Sequence, residues 1–312
     1  MKKILSILIA CLGVNFVFAQ QQGQFSQYMM NYYLLNPAVA GSDNDIDLKT
    51  SFRHQWLGLS GAPVNYYLSG SSTIGKLVAG KAPRSKQAIG GIITGQQLGA
   101  FKRNGVYVSY AYHYALSENT YISAGLSVGA LAYQLNNNLD FGDNTVDNAT
   151  QNMSNQIRPD ANAGVFLYNK NLFVGLSSMQ LLRNRLNFGS LSSESGYLNR
   201  HYYLLAGYHI NLNENMVLVP SVLIKSVVPT AFQFDINAKL KYQNKYWLGV
   251  SYRNKDAIIA MLGLMINDRV EFGYSYDITT SGLRFGSKGT HEILLGLRLK
   301  RNPTTVCPSD YW

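Results

Sequence analysis

The feature that most narrows the fold is a run of twelve residues, 232–243. In it Phe232, Phe234, Ile236, Ala238, Leu240 and Tyr242 alternate without a fault with Gln233, Asp235, Asn237, Lys239, Lys241 and Gln243. Successive side chains of an extended chain point to opposite faces, so this run is a strand with one apolar and one polar face. A second copy covers 270–279, with Val270, Phe272, Tyr274, Tyr276 and Ile278 set against Glu271, Gly273, Ser275, Asp277 and Thr279. Such a ribbon suits a wall that faces lipid on one side and water on the other, the dyad pattern of a membrane barrel. The expected fold class is all-β: a transmembrane antiparallel outer-membrane β-barrel of about 14 strands with an N-terminal non-barrel segment. A soluble β-sandwich or propeller is the competing reading.

The start of the chain supports secretion. Lys2 and Lys3 precede an apolar run over 4–18, and Val17-Phe18-Ala19 before Gln20 offers the small residue that signal peptidase needs, which predicts a signal peptide over 1–19. Leu8-Ile9-Ala10-Cys11 also fits a lipoprotein box, although the residues after Cys11 stay hydrophobic where a lipoprotein turns polar. Cleavage after Ala19 leaves Cys307 as the lone thiol, which excludes an intramolecular disulfide and a cysteine-based metal site. Past residue 19 the longest apolar run, 257–266, is far short of the roughly 20 residues of a spanning helix. The 22 tyrosines and 28 glycines fit aromatic girdles and crowded interior positions.

Strands are expected at about 47–56, 64–72, 87–97, 104–116, 120–134, 160–168, 171–179, 198–212, 216–225, 231–242, 246–253, 257–266, 270–279 and 290–300. That makes fourteen, with twelve or sixteen also compatible. Connections fall into two classes. Ser117-Glu118-Asn119, Asn169-Lys170, Asn213-Glu214-Asn215, Gln243-Asn244-Lys245 and Asn267-Asp268-Arg269 have hairpin-turn chemistry, whereas 135–159, 180–197 and 280–289 are long. Outer-membrane barrels keep short turns in the periplasm and long loops outside, which sets the sidedness. The basic connection 73–86 is a misfit, being long where a short turn is expected. The chain therefore divides into the signal peptide, an N-terminal periplasmic or lumen segment over 20–45, a barrel over 46–300, and a tail over 301–312. Asn36-Pro37 disfavours both helix and ladder in the second of these.

Chemistry is sparse. His54, His113, His201, His209 and His291 lie on different strands without a ligand spacing, and no nucleophile elbow, phosphate loop or dinucleotide fingerprint occurs. Asp140, Asp143 and Asp147 sit in an Asn-rich loop that lacks the glycine and closing glutamate of a calcium loop. No enzyme activity, cofactor or metal is expected. The net charge is +10, or +8 once Lys2 and Lys3 are removed. Lys170, Lys239, Lys241, Lys245, Arg269, Arg298, Lys300 and Arg301 gather at the expected periplasmic end, joined by Lys76, Lys81, Arg84 and Lys86. That rim would dock an acidic periplasmic partner or snorkel into lipid headgroups. Charges at strand ends do not read bases, so nucleic acid is excluded as a partner.

One stretch carries a resemblance. Gln27-Tyr28-Met29 with Asn31, then Leu35-Asn36-Pro37-Ala38-Val39-Ala40-Gly41, then Arg53-His54-Gln55-Trp56 and Gly61-Ala62-Pro63, resemble the opening signature of the PorP/SprF family of type IX secretion proteins from the Bacteroidetes. The resemblance implies a non-enzymatic outer-membrane barrel that assists export or surface retention of a large adhesin by binding its C-terminal region, in some members together with the gliding machinery. The partners so implied are the adhesin's C-terminal domain, periplasmic or outer-membrane secretion components, and outer-membrane lipid. The family supplies no active-site residues. The residues that carry the motif are Gln27, Tyr28, Asn36, Pro37, Ala38, Gly41, Arg53, Gln55, Trp56, Gly61, Ala62 and Pro63. The alternative function is an outer-membrane channel for small polar or hydrophobic solutes. The chain departs from ordinary barrel practice at its end, where Trp312 closes a tail instead of the last strand.

Overall fold

The computed structural model describes residues 22–43, 45–75, 84–135, 155–187, 195–227, 232–267 and 269–299. The expected signal peptide with Cys11, Lys76 and Lys81, Asp140, Asp143 and Asp147, and the tail with Cys307 and Trp312 lie outside the described residues.

The strands are β1 (Ile46–His54), β2 (Val64–Ile74), β3 (Ser85–Leu98), β4 (Phe101–Ser117), β5 (Thr120–Leu135), β6 (Gln156–Asn169) and β7 (Leu172–Met179). Then comes β8, formed by His201–Tyr208 and Ile210–Asn213 on either side of His209. It is followed by β9 (Met216–Val227), β10 (Gln233–Tyr242), β11 (Tyr246–Arg253), β12 (Ala257–Ile266), β13 (Val270–Thr279) and β14 (Thr290–Leu299). Each pairs antiparallel with its neighbours in the chain, and β1 closes on β14 from Ile46↔Leu299 to His54↔His291. The result is a closed barrel of 14 strands with no edge, which is what a sheet needs in lipid. A two-stranded ribbon, Arg185–Asn187 with Ser195–Tyr197, stands within the β7–β8 connection.

Two strand starts differ from the sequence reading in a way that changes a connection or its length. β4 starts at Phe101 and β6 at Gln156, each a few residues early, so β3 and β4 are joined by only Gly99-Ala100. The two classes of connection therefore do not alternate perfectly. Gly99 takes φ +56° and donates its N–H to Gly61 O, so the tight turn is closed by the neighbouring loop rather than by length.

The alternation of β10 becomes a wall with two solvents. Asp235, Asn237, Lys239 and Lys241 are buried inside, while Ile236 and Tyr242 face out and are exposed. The outer surface elsewhere is a belt of aliphatic and tyrosine side chains, Val108, Val128, Leu248 and Val250 among them. Their exposure is what a lipid-facing surface requires.

A barrel of eight strands can fill its interior with wall side chains alone; one of fourteen cannot. Here residues 22–43 fill it. Tyr28, Met29, Met30, Tyr32, Tyr33, Ala38, Val39 and Ala40 are all 5% exposed or less. The segment folds as three single 3₁₀ turns, Gln27–Met30, Tyr32–Leu34 and Pro37–Val39. Pro37 forces Asn36 out of the helical region, and the Asn36 side chain then caps the third turn by accepting from Ala38 N at 2.9 Å. The path runs the height of the barrel. Gln24 bonds Gln233 at the end bearing the long loops, and Ser42 O accepts from Lys86 Nζ at 2.7 Å at the end bearing the short turns.

The plugged lumen as candidate functional site

The inner half of the plug is held by shape. Asn36 Nδ2 donates to Val165 O at 2.9 Å and to Leu176 O at 3.3 Å, so its amide crosses from β6 to β7. It reaches them because Gly164 and Gly175 present no side chain; a Cβ on Gly175 would fall 2.9 Å from Asn36 Nδ2, and one on Gly164 would collide with Asn36 Oδ1. Gly125 does the same for the backbone of Pro37 and Ala38, where a Cβ would lie 2.6 Å from Ala38 Cα. Below them Ser123 Oγ donates to Ala38 O at 2.7 Å. His113 Nε2 lies 2.8 Å from Ala40 O. A carbonyl only accepts, so Nε2 carries the proton, and Nδ1 is left to accept from Tyr168 Oη at 2.9 Å.

Charge holds the outer half. Ser26 N donates to Glu292 Oε2 at 2.6 Å and Ser26 Oγ to Asp277 Oδ2 at 2.7 Å. Gln27 N and Nε2 donate to Glu292 Oε1 and Glu292 O. The two carboxylates are paired with Arg53, which stands 2.8 Å from Asp277 and 3.3 Å from Glu292. A second guanidinium, Arg253, bridges Asp235 at 3.2 Å, Asp256 at 3.4 Å and Asp277 at 3.9 Å, and donates to Phe25 O. Lys225 closes the network on Asp235 at 3.0 Å and lies over the Tyr28 ring. Arg53, Arg253, Asp235, Asp277 and Glu292 are each 1% exposed or less. Buried pairs of this kind add little net stability, but removing one partner strands a charge.

The twelve motif residues divide between two places. Gln27, Tyr28, Asn36, Pro37, Ala38 and Gly41 belong to the plug, and Arg53 reaches it from the wall by donating to Ser26 Oγ. Tyr28 Oη accepts from Asn237 Nδ2 at 2.8 Å. Gln55, Trp56, Gly61, Ala62 and Pro63 instead build the β1–β2 loop at the long-loop end. There Gln55 N donates to Pro63 O, and Trp56, at φ +51°, donates its N–H to Thr290 Oγ1. The structure does not bring this loop to Asn36. Asp235, Arg253, Asp277 and Glu292 escaped the sequence reading as functional candidates. The available signal was that all four are charged residues at inward positions near the same strand ends.

At the short-turn end, burial first and Asp47 second push the Asp43 carboxyl up to about 6, against the pull of Arg298, Lys49 and Lys86. Lys239 Nζ meets Met30 Sδ at 3.5 Å, so the basic face expected at this rim partly lines the lumen. Three more histidines contact rings of the wall: His201 stacks on Tyr203, His209 packs on Phe173, and His291 bonds Tyr274 Oη at 2.7 Å, with His54 opposite it across the β1–β14 seam. Among the described residues no group of three His, Cys, Asp or Glu is placed to hold a metal.

Comparison with known proteins gives a family. The family model described as "Type IX secretion system membrane protein PorP/SprF" matches residues 17–297. No curated protein matches the sequence. Among solved structures the chain is similar to the outer membrane protein Omp33 of Acinetobacter baumannii, at 10% identity and TM-score 0.46 over 83% of this chain and 99% of that one. It is also similar to the P. putida toluene transporter TodX, at 10% identity and TM-score 0.45 over 84% and 90%. The CymD monoaromatic hydrocarbon channel is matched at 11% identity and TM-score 0.46 over 90% and 94%.

Proposed function

Because the chain belongs to the PorP/SprF family of type IX secretion system membrane proteins and lies as a barrel in the outer membrane, we propose that it is a holding component of the export machinery. In this reading it binds the C-terminal region of a large secreted adhesin and assists its export or its retention at the surface. The chain enters the envelope on a cleaved signal peptide over 1–19, the long loops face outward, and no catalysis is involved.

The observation that carries the reading is the plug. A barrel whose interior is filled by its own residues 22–43, tied at both ends, is built to present surfaces rather than to pass solutes. The surfaces lie where binding is usually built, in loops on a rigid scaffold. The β1–β2 loop that carries five of the twelve motif residues is stitched to its neighbours, Leu57 N donating to Gly289 O and Gly99 N to Gly61 O. An ordered platform costs less entropy to dock on than a loose loop does.

The test is genetic and biochemical together. Deleting the gene should remove one large protein from the cell surface, and the barrel extracted in mild detergent should bring that protein's C-terminal region with it. A barrel that purifies alone, from cells whose surface and secreted proteins are unchanged by the deletion, contradicts the reading and leaves solute transport in its place.

A further inference from the structure

The β1–β2 loop does not stand alone at the long-loop end. Leu57 N donates to Gly289 O at 2.8 Å and Lys288 N donates back to Leu57 O at 2.7 Å, so loops from either side of the β1–β14 seam are laced together. Gly286 lets them close up, because a Cβ there would fall 2.7 Å from Leu59 Cδ2. On the other flank a Cβ on Gly61 would lie 3.2 Å from Gly99 Cα, and Gly99 N donates to Gly61 O at 2.9 Å. One continuous surface therefore runs from the β13–β14 connection, 280–289, over the β1–β2 connection to the β3–β4 turn. Every residue of these three connections is among those described.

This surface shows apolar side chains to water. The 3₁₀ turn Gly282–Phe285 buries none of its residues, and Phe285 is 84% exposed, with Leu283 exposed beside it. On the far flank Leu98 and Phe101 are cross-strand partners, both exposed. They continue the inward rows of Ile92 on β3 and Tyr107 on β4, themselves partners, so they face the mouth and not the lipid. Exposed apolar groups gathered within a polar rim mark a surface that another molecule covers. Charge then narrows the partner. Residues 55–63, 98–102 and 280–289 contain Lys102, Arg284 and Lys288 and no Asp or Glu. All three cations are exposed, and Arg284 lies 4.7 Å over the Phe285 ring. The carboxylates next to this surface are turned inward and taken: Asp277 and Glu292 by Arg53, Asp256 by Arg253. Asp140, Asp143, Asp147 and Glu194 belong to the β5–β6 and β7–β8 connections.

Resting on the reading that the barrel holds an exported protein, we propose that this surface is the docking face and that the partner segment seated on it is acidic, with apolar residues between its carboxylates. Phe285, Leu283 and the Leu98–Phe101 pair supply the apolar contact, and Arg284, Lys288 and Lys102 meet the carboxylates. Aromatic and arginine side chains carry much of the energy of protein interfaces, and complementary charge steers the approach and sets the register. The laced loops are ordered before the partner arrives, so the ordering cost falls on the partner. A lipid could use the same cations only from the rim, where Tyr276 Oη on the outer face donates to Lys288 O; the Leu98–Phe101 pair lies on the mouth side.

The test places the photo-crosslinking residue benzoylphenylalanine at position 285 or 101 of the full barrel in living cells. Both positions should crosslink to one protein, in a segment that mass spectrometry shows to hold more acidic than basic residues. A synthetic peptide of that segment should bind the purified barrel, more weakly as salt rises. Arg284→Glu with Lys288→Glu should weaken binding about tenfold or more and flatten the salt dependence, whereas Phe285→Ser should weaken binding and keep that dependence. These side chains are exposed, so heat-modifiable gel mobility should be unchanged in each variant. The proposal is overturned by no crosslink, by crosslinks to lipopolysaccharide alone, by a segment without an acidic excess, or by peptide binding that the charge variant leaves unchanged. The holding function and this face fail separately. A partner that co-purifies equally with wild type and charge variant keeps the function and removes the face, while a barrel that purifies alone, from cells unaltered by its deletion, removes both.

Discussion

The two ends of the plug are fixed by different physics. Around Ser26 and Gln27 the segment is gripped by charged side chains, with Arg53, Asp277 and Glu292 as its jaws. Around Asn36, Pro37 and Ala38 it is seated in hollows left by Gly125, Gly164 and Gly175, with neutral hydrogen bonds to the wall. A charge grip depends on every partner being present, because a buried ion left alone is costly. A shape fit depends only on volume, and close-packed volume tolerates little change in either direction. The outer end is thus the one that a competing carboxylate or cation can open, while the inner end stays tied to β1.

Substitutions can break this contrast. The largest effect is expected from Arg53→Leu, which strands Asp277 and Glu292 and should cost about 3–5 kcal/mol. The double change Arg53→Leu with Glu292→Leu should recover part of that loss. Thermal unfolding followed by gel mobility measures both, and equal damage from the single and double variants would mean the grip is not electrostatic. Next comes Gly125→Val, an overpacking change worth about 1–3 kcal/mol, which should free the inner half of the plug to protease while the barrel keeps its mobility. Asn36→Ala removes the cap and the two bonds to β6 and β7, a loss of about 1–2 kcal/mol that should appear in the same proteolysis assay. The smallest effect is at Asp43. Its carboxyl is raised from 3.8 to about 6, so the neutral form is favoured in the folded state. The stability this gives is complete below the lower value and is lost as pH rises through the upper one. Proteolysis at the inner end should increase from pH 4 to about 6 and beyond, and Asp43→Asn should flatten that rise.

How much of this was legible in the sequence follows from where each piece of information is stored. The alternation in 232–243 and 270–279 is local, and it gave the wall and its two faces, because period 2 is a property of neighbouring residues. Lys239 inward and Leu240 outward follow from it directly. The glycines of β5 could be read as places of close packing, but what packs there is set by barrel closure: Pro37 and Ala38 come to Gly125 only when β1 meets β14. Arg53 and Glu292 are 239 residues apart and meet for the same reason. In the sequence Glu292 and Asp277 were simply polar members of an alternating run. The motif is contiguous enough to read in the sequence, yet it could not say that seven of its residues lie in or against the plug while five build a loop.

The central claim is that this barrel is closed by its own N-terminal residues, and electrical conductance tests it most directly. The wild-type barrel in a planar bilayer should show no persistent conductance, and a variant lacking 22–40 should fold and show stable open steps. A wild-type barrel that conducts as freely as the deletion variant would contradict the account.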